Sequence, residues 1–104
     1  MDSETQILIA EMEQAISRLK RLSAAYSQIP LSMENSTARK RLHDRFEQER
    51  AQFFTAYGQD KSFRLEALNL ELFLEFNQYL IDCVTDIEDI HQEPTFTEYL
   101  FSEK

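Results

Sequence analysis

Residues 65–90 read LEALNLELFLEFNQYLIDCVTDIEDI, and this stretch decides the fold class. Starting at Leu65, apolar side chains follow at Leu68, Leu72, Phe76, Tyr79, Cys83, Ile87 and Ile90. The mean step is about 3.6 residues, the period of an α-helix. A second row, Leu70, Phe73, Leu74, Leu80, Ile81 and Val84, widens the apolar face. On a helical wheel Glu71, Glu75, Gln78, Asp82, Asp86 and Asp89 fill a sector only about 100° wide. Such a helix must be covered on several sides, by its own chain or by a second subunit. The spacing predicts it over 62–91, capped by Asp60 or Ser62.

Upstream, Leu8, Met12, Ile16, Leu19, Leu22, Tyr26 and Ile29 keep steps of three and four. Ser3 and Gln6 stand at capping-box spacing, and Pro30 stops an ongoing helix, so a first helix is expected over about 4–28. Ser32, Asn35 and Ser36 are alternative caps for a second helix over about 36–57, with apolar positions at Ala38, Leu42, Phe46, Phe53, Phe54 and Tyr57. Gly58 reads as its left-handed C′ residue. After Pro94, Thr95 and Glu98 repeat the capping-box spacing before Phe96, Tyr99, Leu100 and Phe101, which predicts a short helix over about 96–102.

Composition agrees with a few long helices. One glycine and two prolines in 104 residues leave few places for tight turns, which argues against an all-β domain. A lone glycine builds neither a dinucleotide fingerprint nor a phosphate loop. With 42% hydrophobic residues the chain carries enough apolar material for a packed core. The expectation is one domain over 1–104: an all-α, antiparallel three-helix bundle with a short C-terminal helix, paired into a homodimer through helix three.

One cysteine, Cys83, cannot close an internal disulfide, and the first residues lack a basic and apolar leader pattern. Both point to a cytoplasmic protein. The most apolar run carries Glu66, Glu71, Glu75 and Asp82, so no membrane span is expected.

The formal charge of −8 is unevenly placed. Residues 1–65 hold 10 basic and 9 acidic side chains, whereas residues 66–104 hold 1 and 10. Arg18, Lys20 and Arg21 form one basic cluster and Arg39, Lys40, Arg41 and Arg45 another. In an up-down-up bundle both meet at one end, beside the acidic end of helix three, where the charges can neutralise each other. Direct nucleic-acid binding is not expected from so acidic a chain.

Signals for catalysis are sparse. Glu88 and His91 form one Glu-x-x-His pair, and His43 stands four residues before Glu47, but a two-metal core needs about six inward ligands. Cys83 sits on the apolar stripe, where a thiol behaves as a small hydrophobe. No metal, cofactor or catalytic residue is assigned. Asn69 and Asn77 interrupt the apolar sector of helix three, and each needs a partner across the bundle or at a subunit interface.

The function these observations lead to is non-enzymatic. The expectation is a small acidic protein-interaction module, a regulator, inhibitor or chaperone-like adaptor. Its binding residues would be Phe73, Leu80 and Val84 with the tail side chains Phe96, Tyr99, Leu100 and Phe101. Glu71, Glu75, Asp82, Asp86 and Asp89 would form an acidic surface that steers a basic protein partner. The alternative is an acidic decoy that occupies the site of a DNA- or RNA-binding protein.

Overall fold

Side-chain caps at Asp2, Asn69 and Thr95 set where three of the described helices begin. The structure is a computed structural model; it describes residues 2–102, and Met1, Glu103 and Lys104 lie outside the described residues. The described residues are all-α, with no strand among them. Helix α1 spans Ser3–Gln28, and α2 spans Ser36–Ala56 after a short 3-10 turn at Met33–Asn35. A π turn, Tyr57–Lys61, then leads into α3, Ser62–Leu68. Helix α4 covers Leu70–Cys83, and α5 covers Phe96–Ser102 after a second 3-10 turn at Ile90–Gln92.

Asp2, rather than Ser3, caps α1: its carboxylate accepts from the Thr5 amide at 2.8 Å, and this bond holds the carboxyl below its usual range. At α5 the expected capping box is present. The Thr95 amide donates to Glu98 Oε1 at 2.9 Å and the Glu98 amide to Thr95 Oγ1 at 3.2 Å.

The largest departure from the sequence expectation is at Gly58. It does not adopt positive φ and does not end the second helix. The physical reason is rotational register. An α-helical run from Tyr57 to Leu65 would carry Leu65 about 80° round the axis. A π turn, with its wider i→i+5 spacing, takes less rotation per residue and returns Leu65 to the buried face with Phe46, Phe53 and Tyr57.

Helix three over 62–91 is likewise not one element. Asn69 leaves helical conformation, at φ −161° and ψ 93°, and its Oδ1 accepts from the Leu72 amide at 3.0 Å to start α4. Its side chain offers the backbone a cap in place of a continued helix. At the other end α4 stops at Cys83, because tertiary donors take the carbonyls that follow. Arg50 Nη2 donates to the Val84 carbonyl at 3.2 Å, and the Ser23 hydroxyl donates to that of Ile87. Ile87 and Ile90 are still buried, as their spacing implied, but from an irregular segment rather than a helix.

Side-chain pairings give the chain direction. Arg39 reaches the Tyr26 and Ile29 carbonyls, Arg18 pairs with Glu49 at 3.1 Å, and Lys61 pairs with Glu11 at 3.1 Å, so α1 and the α2–α3 rod are antiparallel. Tyr57 bonds Asn77 and Arg50 reaches Val84, so α4 runs antiparallel to α2. Leu8, Met12, Ile16 and Leu19 of α1 meet Phe46, Leu65, Phe76 and Tyr79 in one core. Phe96 closes it, edge-on to Phe76 at 4.9 Å between ring centroids. The body measures 49 × 30 × 19 Å, about two helix diameters at its thinnest, so the helices keep a face toward water.

Candidate functional site

Most of the apolar residues expected to bind a partner are spent on the core. Leu80, Val84, Phe96 and Tyr99 are buried, and Phe73 and Leu100 are partly buried against them. The reason is the fold-back of residues 84–95, which lays α5 on α4. The Tyr79 hydroxyl donates to the Pro94 carbonyl at 2.7 Å, and the Tyr99 hydroxyl donates to Asp82 at 2.6 Å. Of the seven, only Phe101 is largely open, at 73% exposure.

The apolar face left in water lies elsewhere on α4. Leu70, Leu74 and Ile81 are 56%, 58% and 71% exposed. At 100° per residue they fall within a sector about 40° wide, one line along the helix. All three belong to the second apolar row visible in the sequence. What the row did not tell is which of its members turn outward, because that depends on the direction of the core. Asn77 lies beside this line and accepts from the Tyr57 hydroxyl, while Asn69 is spent as the cap of α4. Each amide oxygen finds its donor within the chain.

The acidic row borders the same line. Glu71 and Asp82 are exposed and Glu75 is half-buried, whereas Asp86 and Asp89 come after the helix has ended at Cys83. Asp82 also accepts from Gln78 at 3.0 Å. The row is therefore regular over α4 only.

Where the line reaches the end of α4 it opens into a groove of about 470 Å³ against α2. Leu80, Ile81 and Val84 line one side and Phe54 the other, with Glu47 and Asp86 among the lining residues. The Arg50 guanidinium lies 5.0 Å from the Phe54 ring centroid, a cation–π distance. Arg50 Nε and Thr85 Oγ1 are covered and have no hydrogen-bond partner in this structure.

The two basic clusters do not neutralise the acidic C-terminal region as expected. Arg18 and Arg45 both hold Glu49, and Lys40 holds Asp44, all within α1 and α2. Arg39 sits 4.1 Å from the Tyr26 ring centroid, and Lys20 donates to the Glu93 and Pro94 carbonyls at 2.8 and 3.0 Å. Asp86, Glu88 and Asp89 have no cationic partner among the described residues. Lys20 alone of these cations reaches the C-terminal region among the described residues, and it does so through backbone carbonyls, so Asp86, Glu88 and Asp89 are left outside the ion pairs.

Groups with catalytic chemistry are placed as structural parts. Ser23 lies 2.8 Å from His91 Nδ1, the spacing of a nucleophile and its base, but Ser23 is fully buried and gives its proton to the Ile87 carbonyl. The pair ties residues 84–95 to α1. Burial pushes the Cys83 thiol up to about 12, so it is protonated at neutral pH. No three His, Cys, Asp or Glu side chains come together to hold a metal among the described residues. No described helix is long and apolar enough to cross a membrane. Comparison with known proteins gives no family model, no curated relative and no solved structure that matches the chain.

Proposed function

We propose that this chain is a non-enzymatic protein-interaction module of the cytoplasm, a small regulator, inhibitor or chaperone-like adaptor. Its working face is the outer side of α4. In this reading α1, the α2–α3 rod and α4 act as an antiparallel three-helix bundle that holds the face rigid, and α5 seals the core behind it. The observation that carries the proposal is the line Leu70, Leu74 and Ile81, exposed beside Glu71, Glu75 and Asp82. Large apolar side chains in a row, rimmed by charge, are the composition of a contact surface rather than of plain solvated helix.

The test replaces Leu70, Leu74 and Ile81 together by Gln. All three are more than half exposed, so the fold should persist, read as an unchanged far-ultraviolet circular dichroism spectrum. Proteins that copurify with the wild-type chain should be lost from the variant; an unaltered set would sink the proposal. Light scattering of both forms decides whether the face is covered by a second copy. The carboxylates of Asp86, Glu88 and Asp89, without a cationic partner among the described residues, support a second reading, an acidic decoy for a nucleic-acid-binding protein. Its mark is competition with nucleic acid that weakens steeply as salt is added.

A further inference from the structure

We infer that the groove between α2 and the C-terminal end of α4 receives a basic amphipathic helix from a different protein, with one large aliphatic side chain seated between Phe54 and Ile81. The inference rests on the interaction-module reading and names the partner's chemistry and its seat.

A second copy of this chain is the poorer occupant of this face. Helix α4 carries Glu71, Glu75 and Asp82 and no Lys or Arg. A twofold pairing through it sets like charges against like, which costs association. A helix of this length, about 21 Å at 1.5 Å per residue, also offers much less than the roughly 800 Å² per partner of a stable interface. A single docked helix needs less.

The charge selects a basic partner. Glu47 and Asp86 are exposed residues of the groove, and neither carboxylate has a hydrogen-bond or ion-pair partner among the described residues. Asp89 and Glu88 follow within three residues of Asp86. The apolar lining from Phe54, Leu80, Ile81 and Val84 supplies the seat for an anchor residue, the way a helix is held in a groove. Phe54 of α2 gives this seat a second apolar wall, which separates it from the open line at Leu70 and Leu74.

The test is a two-dimensional amide NMR titration of the full chain with a 14-residue peptide of Leu and Lys whose leucines fall on one helical face. Controls are a scrambled peptide of the same composition and a Leu/Glu peptide. Shifts should centre on Phe54 and residues 80–86, and the scrambled and acidic peptides should bind at least about tenfold more weakly. The double variant Glu47→Lys with Asp86→Lys should weaken binding by a similar factor. The same charge change at Glu34 and Glu66, both exposed and outside the groove, should leave it within about threefold.

Shifts centred on Leu70 and Leu74 would overturn the groove assignment and leave the interaction-module reading standing. Equal binding of the scrambled peptide would overturn it too, because charge alone would then explain the affinity. No binding by any peptide, together with unaltered copurifying proteins in the Gln variant, would remove both.

Discussion

Together with the Lys20 ammonium, the Ser23 hydroxyl fastens the irregular segment 84–95 to α1. It donates to the Ile87 carbonyl and accepts from the His91 amide at 3.2 Å, while His91 Nδ1 lies 2.8 Å away. Since the hydroxyl proton is given to the carbonyl, the imidazole serves as donor through Nδ1–H. Ser23→Ala leaves a buried carbonyl without its donor, an effect of about 1–3 kcal/mol. The thermal midpoint should fall by about 4–8 °C per kcal/mol, and a midpoint within 2 °C of wild type would show that the segment is held by other means. Buried acids act at the same scale. Burial raises the Cys83 thiol from 9.0 and the Tyr57 phenol from 10.0, each to about 12, and pushes the Tyr79 phenol up as well. The folded chain therefore keeps protons that the unfolded chain loses from about pH 9 upward. Stability is full below pH 9 and declines as pH rises from 9 to 12. A urea midpoint at pH 10.5 equal to that at pH 8 would mean that water reaches these groups.

At the scale of elements, the junction between α2 and α3 offers the sharpest contrast. Gly58 has no positive φ, and a Cβ built on it meets nothing within 4 Å. In a helical setting Gly58→Ala should stabilise the chain by about 0.5–1 kcal/mol, because alanine has less backbone freedom to lose. Were Gly58 a left-handed cap, the same change would destabilise, so the sign of the shift in a chemical denaturation curve decides. The other junctions divide by how local their signal is. The box at Thr95 and Glu98 is complete within four residues and was legible. Asn69 was visible as an apolar-face interruption, but its choice between a buried amide and a cap depended on where α3 and α4 pack.

Across the whole molecule, the tail and the charge distribution set the behaviour. Phe96 and Tyr99 are buried against Phe76 and Tyr79, with the Tyr79–Tyr99 ring centroids 5.3 Å apart. Ending the chain after Gln92 removes two aromatic side chains of the core, worth about 1.5–3 kcal/mol each, against a typical total of about 5–15 kcal/mol. The shortened protein should aggregate in size exclusion coupled to light scattering and lose its cooperative melt. A monodisperse truncated form with the wild-type melting curve would show the tail to be a detachable arm. Among the described residues the carboxylates of Asp86, Glu88 and Asp89 have no cationic partner, which keeps the end of α4 acidic.

The order of residues alone carries the all-helical class, the extent of α1 and α5 to within a residue or two, and the concentration of acid in the last third of the chain. These are local or additive properties: period, caps within four residues, and summed charge. It also exposed the second apolar row of α4, from which the outward line Leu70, Leu74 and Ile81 is drawn. Packing in three dimensions was needed to show that Gly58 continues a helix, that Asn69 breaks one, and that α4 stops at Cys83, with Arg50 and Ser23 holding carbonyls beyond it. It alone separated the row into Leu80 and Val84 within and Leu70, Leu74 and Ile81 without. An apolar period tells that a helix has a face to bury, but which flank of a wide face meets the core is settled by partners up to 74 residues away.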